Sequence, residues 1–153
     1  MKKLKLKLMH EFAEAPTRST MGSVGYDIKA CLETPIEIKP GETVLVSSGF
    51  AIELEHGVAA FLYARSGLGI HHGIIPANCV GVVDSDYRGE VKVGLRNTSD
   101  TPFVVQHGDR IAQMLIAKCE LPEIEICDMI EETSRGSMGF GSSGLESPAA
   151  KGD

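Results

Sequence analysis

Almost every apolar run in this chain is short, and turns bearing Gly or Pro separate one run from the next. The runs Leu4–Met9, Tyr26–Cys31, Ile36–Ile38, Thr43–Glu53, Val58–Ala64, Cys79–Asp84, Glu90–Asn97, Phe103–Val105, Arg110–Leu121 and Ile124–Met129 predict strands. Between them stand Lys39-Pro40-Gly41, Glu55-His56-Gly57, Tyr87-Arg88-Gly89 and Gln106-His107-Gly108, all turn signals. Helical periodicity is confined to one short turn near Ser66–His71. A chain written this way folds as an all-β sandwich or barrel. Ile111–Ala117 is apolar at nearly every position, with Gln113 the exception. A strand buried on both faces needs two covers, and in a chain this small one of them points to another subunit.

The 153 residues suit one domain with a working core. Fifteen Lys and Arg against 21 Asp and Glu give a net charge of −6, which argues against coating nucleic acid. It leaves room for a small anionic ligand held by a few Arg and backbone N–H groups. Met1-Lys2-Lys3 begins like a signal peptide, but Glu11, Glu14 and Arg18 follow where an apolar stretch belongs. No run is long enough to span a bilayer. Cys31, Cys79, Cys119 and Cys127 form no CxxC pair and no zinc spacing; Cys31 and Cys79 read as buried small hydrophobes. These features predict a soluble, cytoplasmic protein with reduced thiols. The β domain is expected over residues 1–133, with a flexible Gly/Ser-rich tail over 134–153, disordered from 144 onward.

Several segments carry chemistry. Gly81-Val82-Val83-Asp84-Ser85-Asp86-Tyr87-Arg88-Gly89-Glu90 is a hairpin with acids and a Tyr at its tip. Solvated turn acids are its bland explanation; the functional one has Asp84 holding a water and Tyr87 packing on a ligand. Arg65-Ser66-Gly67 after an apolar strand makes a phosphate clamp, unless Arg65 is only an ion-pair partner. Gln113 inside an apolar strand must find hydrogen-bond partners, from backbone or ligand. Gly22-Ser23-Val24-Gly25-Tyr26-Asp27 sets a carboxylate in a strand, where it needs a reason. Ser134 to Gly144 supplies Gly and Ser N–H groups and hydroxyls, with Arg135 as a cation and Phe140 as a flat face. Its Gly139-Phe140-Gly141-Ser142-Ser143-Gly144 matches a dinucleotide fingerprint only literally, because nothing after it can build a βαβ unit. Asn97-Thr98-Ser99 matches a glycosylation sequon, which a chain without a leader does not present to that machinery.

Taken in chain order, the five segments resemble the five motifs of the trimeric dUTP pyrophosphatase family, from about residue 15 to residue 144. The resemblance implies a jelly-roll-like β fold, a homotrimer with active sites shared between subunits, and hydrolysis of dUTP to dUMP and pyrophosphate with Mg²⁺. It implies limited uracil incorporation into DNA, a supply of dUMP for thymidylate synthesis, and no stable nucleic-acid or membrane partner. By motif, Asp84 is the general base, and Tyr87 packs under the deoxyribose and crowds out a 2′-hydroxyl. Asn78 and the main chain through Gly81 and Val83 pair with uracil, and Arg65, Ser66, Gly67 and Gln113 hold phosphates. Arg135, Phe140, Gly141, Ser142 and Ser143 close over the substrate. No direct protein ligand to the metal is expected; Asp27 reads as an outer-shell group, and Asp109 as a residue that orients Arg side chains.

Ala64 stands where Pro is common in the second motif, Val24 where Ala is common in the first, and Met138 where Gly is common in the tail. Met138 adds bulk and restricts the backbone of the tail, which predicts altered tail kinetics with activity retained. A dCTP deaminase shares such a fold but uses a Glu-centred site and a second Arg near the phosphate-binding Ser; Leu68 to Ile70 carry none. A non-catalytic nucleotide-binding β module would have lost Asp84, Tyr87 or the tail, and all are present.

Overall fold

Eleven short strands and one helix form among the residues that the computed structural model describes, 3–134, 136 and 137. The strands are β1 (Lys5–Leu8), β2 (Tyr26–Lys29), β3 (Ile36–Ile38), β4 (Thr43–Ser47), β5 (Phe50–Glu53) and β6 (Val58–Tyr63). Helix α1 (Ser66–His72) follows, then β7 (Ile74–Pro76), β8 (Gly81–Val83), β9 (Lys92–Asn97), β10 (Phe103–Val105) and β11 (Arg110–Lys118). Gly41, Gly57 and Gly108 take φ of 76°, 76° and 82°, which is why three of the expected turns end in Gly.

All pairing is antiparallel. A four-stranded sheet runs β2-β11-β6-β8 and a three-stranded one β4-β9-β7, with β1-β5 and β10-β3 as two-stranded ribbons. The open sheets make a jelly-roll-like β fold. Ile28, Phe50, Leu95, Ile111, Met114 and Val46 are fully buried in the core they share. Each such side chain contributes roughly 1.5–3 kcal/mol by leaving water. Exposed bridges such as Lys5–Glu53 rank far below that. The Lys5 hydrogen bond holds the Glu53 carboxyl below its ordinary range. Its small contribution is therefore present at neutral pH and fades as acid protonates the group.

The structure departs from the sequence reading at four places. Thr43–Glu53 is two strands, broken at Ser48-Gly49, where Gly49 has φ 75° and the Ser48 hydroxyl donates to the Val91 carbonyl. There the chain leaves β9 as its neighbour and joins β1. Strand β7, three residues ending in Pro76, is too short to stand out in the sequence. Cys79 is exposed in a turn with φ 60°, whereas Cys31 is buried as expected, its thiol pushed up by burial and by Glu90. Ile124–Met129 pairs with no strand, and Ile124, Ile126, Met129 and Ile130 are exposed. Leu121 closes the compact unit that holds every strand; Pro122 opens a second unit whose described residues contain neither helix nor strand.

In β11, Ala112 and Met114 are fully buried, while Gln113 and Leu115, which point the other way, are only half-buried. One face has its cover within the chain and the other has only part of one.

Asn97, the sequon residue, is 0% exposed. Its amide donates to the carbonyls of Ile38 (2.9 Å) and Thr101 (2.7 Å), and its carbonyl accepts from the N–H (2.9 Å) and hydroxyl (2.8 Å) of Ser99. Every hydrogen-bonding position of the side chain is used, so it ties β9, β3 and the turn before β10 together. Asn97→Ala removes the buried amide donor from the Ile38 carbonyl and both acceptor bonds to Ser99, and is expected to cost about 2–3 kcal/mol in chemical denaturation. Ser99→Ala, which leaves both carbonyls partnered, should cost less.

Candidate active site

Strand pairing aims five side chains at one place. Asp27 of β2 lies opposite Gln113 of β11, which in turn lies opposite Tyr63 of β6. Directly opposed residues share a sheet face, and Arg65, two residues beyond Tyr63, continues that face. Arg110 is three residues from Gln113 and would point away from it in a regular strand. A bulge between Arg110 and Ala112 restores the parity, placing Arg110 opposite Lys29 on the Asp27 side.

Asp27 is the hub of this face. Its Oδ1 accepts from Arg65 Nε at 2.9 Å, and its Oδ2 accepts from Arg110 Nη1 at 3.3 Å and from the Ser19 hydroxyl at 3.0 Å. The Gln113 amide nitrogen donates to the Ala64 carbonyl at 2.9 Å. Around them lies a polar cavity of about 300 Å³ lined by Ser19, Ser23, Val24, Gly25, Asp27, Arg65, Ser66 and Gln113. Two guanidinium groups against one carboxylate leave the cluster net positive, and hydroxyls and an amide complete a cradle for an oxyanion. Gly67 faces an adjoining cavity of about 440 Å³, with Arg65, His71, Asp109 and Arg110. Asp109, expected to orient arginines, instead accepts the Gln106 N–H at 2.8 Å and closes its own turn. A carboxylate one residue before a turn's end bonds locally first, and the arginines go to Asp27.

A second concavity, of about 340 Å³, sits on the β8 hairpin and is lined by Leu45, Leu62, Asn78, Gly81, Val82, Val83, Asp84, Tyr87, Glu90, Val91 and Lys92. The Tyr87 N–H donates to the Asp84 carbonyl at 3.2 Å, closing a turn that leaves Asp84 exposed at its edge. The Tyr87 hydroxyl donates to the Glu90 carbonyl at 3.0 Å. That ring lies over Gly89 so closely that a Cβ there would sit 2.4 Å from the hydroxyl oxygen. At the other end, the Val80 N–H donates to the Asn78 carbonyl at 2.6 Å around Cys79 in its left-handed conformation.

Thus Asp27, Arg65, Ser66 and Gln113 come together, as do Asn78, Gly81, Val83, Asp84 and Tyr87. The two cavities have no lining residue in common. Arg135, Phe140, Gly141, Ser142, Ser143 and Met138 lie outside the described residues. Sequence reasoning missed Ser19, which sits in an unremarkable loop, and the pairing of Arg110 with Asp27, which a bulge creates. Among the described residues no three His, Cys, Asp or Glu side chains cluster as metal ligands, and no helix is long and apolar enough to cross a membrane.

A polar, arginine-bearing cavity and a separate carboxylate-bearing hairpin groove, both carried on a jelly-roll-like β fold, fit the nucleotide-hydrolase class. Residues 11–144 match the dUTPase family, and the chain belongs to it. It is 48% identical over 131 residues to the deoxyuridine 5'-triphosphate nucleotidohydrolase of Desulfitobacterium hafniense (strain DSM 10664 / DCB-2), covering 85% of this chain and 87% of that one. It is 46% identical over 147 residues to the enzyme of the same name from Orientia tsutsugamushi (strain Ikeda), covering 94% and 99%. The fold is similar to the Staphylococcus bacteriophage 80alpha dUTPase solved with dUPNHPP, with a TM-score of 0.87 at 23% identity over 95% of this chain and 100% of that one. A mutant dUTPase from phage phi11 of S. aureus, solved with a structural Mg(II) ion, matches with a TM-score of 0.78 at 20% identity over 86% and 100%.

Gly25 gives Gln113 its place: a Cβ there would stand 2.8 Å from the Gln113 amide oxygen. Gly25→Ala is expected to displace that amide and weaken inorganic pyrophosphate binding about tenfold by calorimetry, or about 1.4 kcal/mol.

Proposed function

We propose that this dUTPase converts dUTP to dUMP and pyrophosphate by attack of a water molecule on the α-phosphorus, with Asp84 as general base. The observation that carries this reading is the grouping of residues. Arg65, Ser66 and Gln113 line one polar cavity, Gly67 lines the cavity that adjoins it through Arg65, and the base, sugar and water set lines one hairpin groove.

Asp84 takes a proton from the water as its oxygen bonds to phosphorus. The bond from the α-phosphorus to the α–β bridging oxygen breaks, pyrophosphate leaves with the electron pair, and the proton passes on to solvent. In-line displacement of this kind asks for positioning and charge neutralisation more than covalent chemistry. Arg65, Ser66, Gly67 and Gln113 hold phosphate oxygens. Asn78 and the main chain through Gly81 and Val83 read the uracil edge by hydrogen bonds, a distinction a polar site enforces strongly against cytosine. Tyr87, pinned through its hydroxyl and seated on Gly89, offers a fixed ring under the deoxyribose that leaves no room for a 2′-hydroxyl. Arg135, Phe140, Gly141, Ser142 and Ser143 complete the cage around base and phosphates.

Mg²⁺ suits this donor set, because hard oxygen atoms match an ion that keeps several of its waters and would be carried in with the phosphates. When bound it neutralises phosphate charge; Asp27, the carboxylate in the phosphate cavity, is the group that can meet one of its waters. The solved phage phi11 relative, with its structural Mg(II), supports a magnesium-linked fold.

A homotrimer with shared sites is supported by the half-covered face of β11 and by two half-sites with no common wall. The product chemistry fits a cytoplasmic enzyme that keeps uracil out of DNA and supplies dUMP for thymidylate synthesis.

Asp84→Asn is expected to lower pyrophosphate release from dUTP by about 10²–10⁴-fold while leaving affinity for a non-hydrolysable dUTP analogue intact. Equal turnover in variant and wild type would remove Asp84 from the mechanism. Across dUTP, dTTP, dCTP and UTP the wild type should act on dUTP alone, and ammonia release from dCTP would instead mark a deaminase. Gly89→Ala, which evicts the Tyr87 ring, should erode the preference for dUTP over UTP by about tenfold or more; an unchanged ratio would show that the ring does not read the sugar.

A further inference from the structure

We propose that Asp27 is a positioning residue, which fixes the Arg65 guanidinium for the triphosphate and acts chiefly through that arginine; the inference rests on the phosphate-binding role of Arg65 proposed above. The Asp27 side chain is 12% exposed and Arg65 is 26% exposed, so the pair is shielded from most of the solvent that weakens surface bridges. Arg65 is held at two points, Nε on Asp27 Oδ1 at 2.9 Å and Nη1 on the Arg110 carbonyl at 3.4 Å. A planar group held at two atoms cannot turn about its Cδ–Nε bond, and the N–H groups left over face in one fixed direction.

The carboxylate is itself immobilised from three sides. Its backbone exchanges two hydrogen bonds with Thr17, at 2.7 and 3.3 Å, and its side chain takes the Ser19 hydroxyl and the second guanidinium, Arg110. The loop carrying Ser19 is stapled by Thr20 and Ser23, each hydroxyl accepting the other residue's N–H at 3.1 and 3.2 Å. Of roughly four acceptor positions on a carboxylate, three are filled by Arg65, Arg110 and Ser19. At most one remains for a metal-bound water. Fixing a guanidinium before substrate arrives removes rotamer freedom that phosphate binding would otherwise have to remove.

Steady-state kinetics on the full-length protein separate the readings. With wild-type dUTP hydrolysis established first, Asp27→Asn, Arg65→Ala and the double variant are compared across a Mg²⁺ titration, with melting temperature and oligomer mass as controls. Asp27→Asn is expected to raise KM for dUTP about tenfold, with a smaller change in kcat, at every Mg²⁺ concentration. In the Arg65→Ala background the same change should have no further effect, and Asp27→Glu should recover part of the loss. Ser19→Ala should raise KM about two- to threefold and also fall silent in the Arg65→Ala background. That arm decides the matter if Asp27→Asn fails to fold. Losses that add in the double variants, or that excess Mg²⁺ restores, overturn the proposal. Absence of dUTP hydrolysis by the wild type would instead overturn the function on which it rests.

Discussion

Strand β11 is hydrogen-bonded on both sides, to β2 and to β6, and nearly everything else depends on that double pairing. Its inward residues Ala112 and Met114 are fully buried in the core. Its outward Gln113 sets the row in which Asp27 and Tyr63 stand. Because antiparallel register has a period of two, a slip of one residue would exchange these roles and bury Gln113 in place of Met114. The bulge at Ile111 is the one place in β11 where that period is broken, and it is what gives Asp27 its second arginine.

The polar groups of the chain divide into those that build and those that remain available. Asn97 and Ser48 are buried and spend their hydrogen bonds on backbone carbonyls and a neighbouring turn. Ser66 and Asp84 stand just past the ends of strands β6 and β8, where the ladder stops and side chains can face a ligand, and Arg65 keeps guanidinium N–H groups beyond those it gives to Asp27 and the Arg110 carbonyl. Such a division follows from burial alone: a polar group inside must be paired by the fold, and one at a rim can be paired by something that arrives later.

Much of this was legible before any coordinates. Short alternating runs and Gly turns fixed the all-β architecture, and Ile36–Ile38 and Phe103–Val105 were read to the residue. Motif order brought out Arg65, Gln113, Asp84 and Tyr87 together with the family. What escaped was what depends on contact between distant segments. The break at Ser48-Gly49 looks like continuous β sequence because both halves are strand; only the change of partner divides them. Ile124–Met129 alternates as a strand should, yet alternation specifies a face and supplies no neighbour to pair with. Asp109 and Asp27 carry the same group, and only the bulge decides which of them meets Arg110.

The separation of the two cavities bears on how such a protein can change over evolutionary time. Under the function proposed above, a lesion in the β8 hairpin would alter the reading of base and sugar without disturbing the Asp27 salt-bridge cluster, since the two cavities share no wall. On that reading, selection could retune nucleobase choice while triphosphate anchorage is held constant, or the reverse, with little epistasis between them. A lineage adapting to a new nucleotide pool needs to rewrite only one of the two modules.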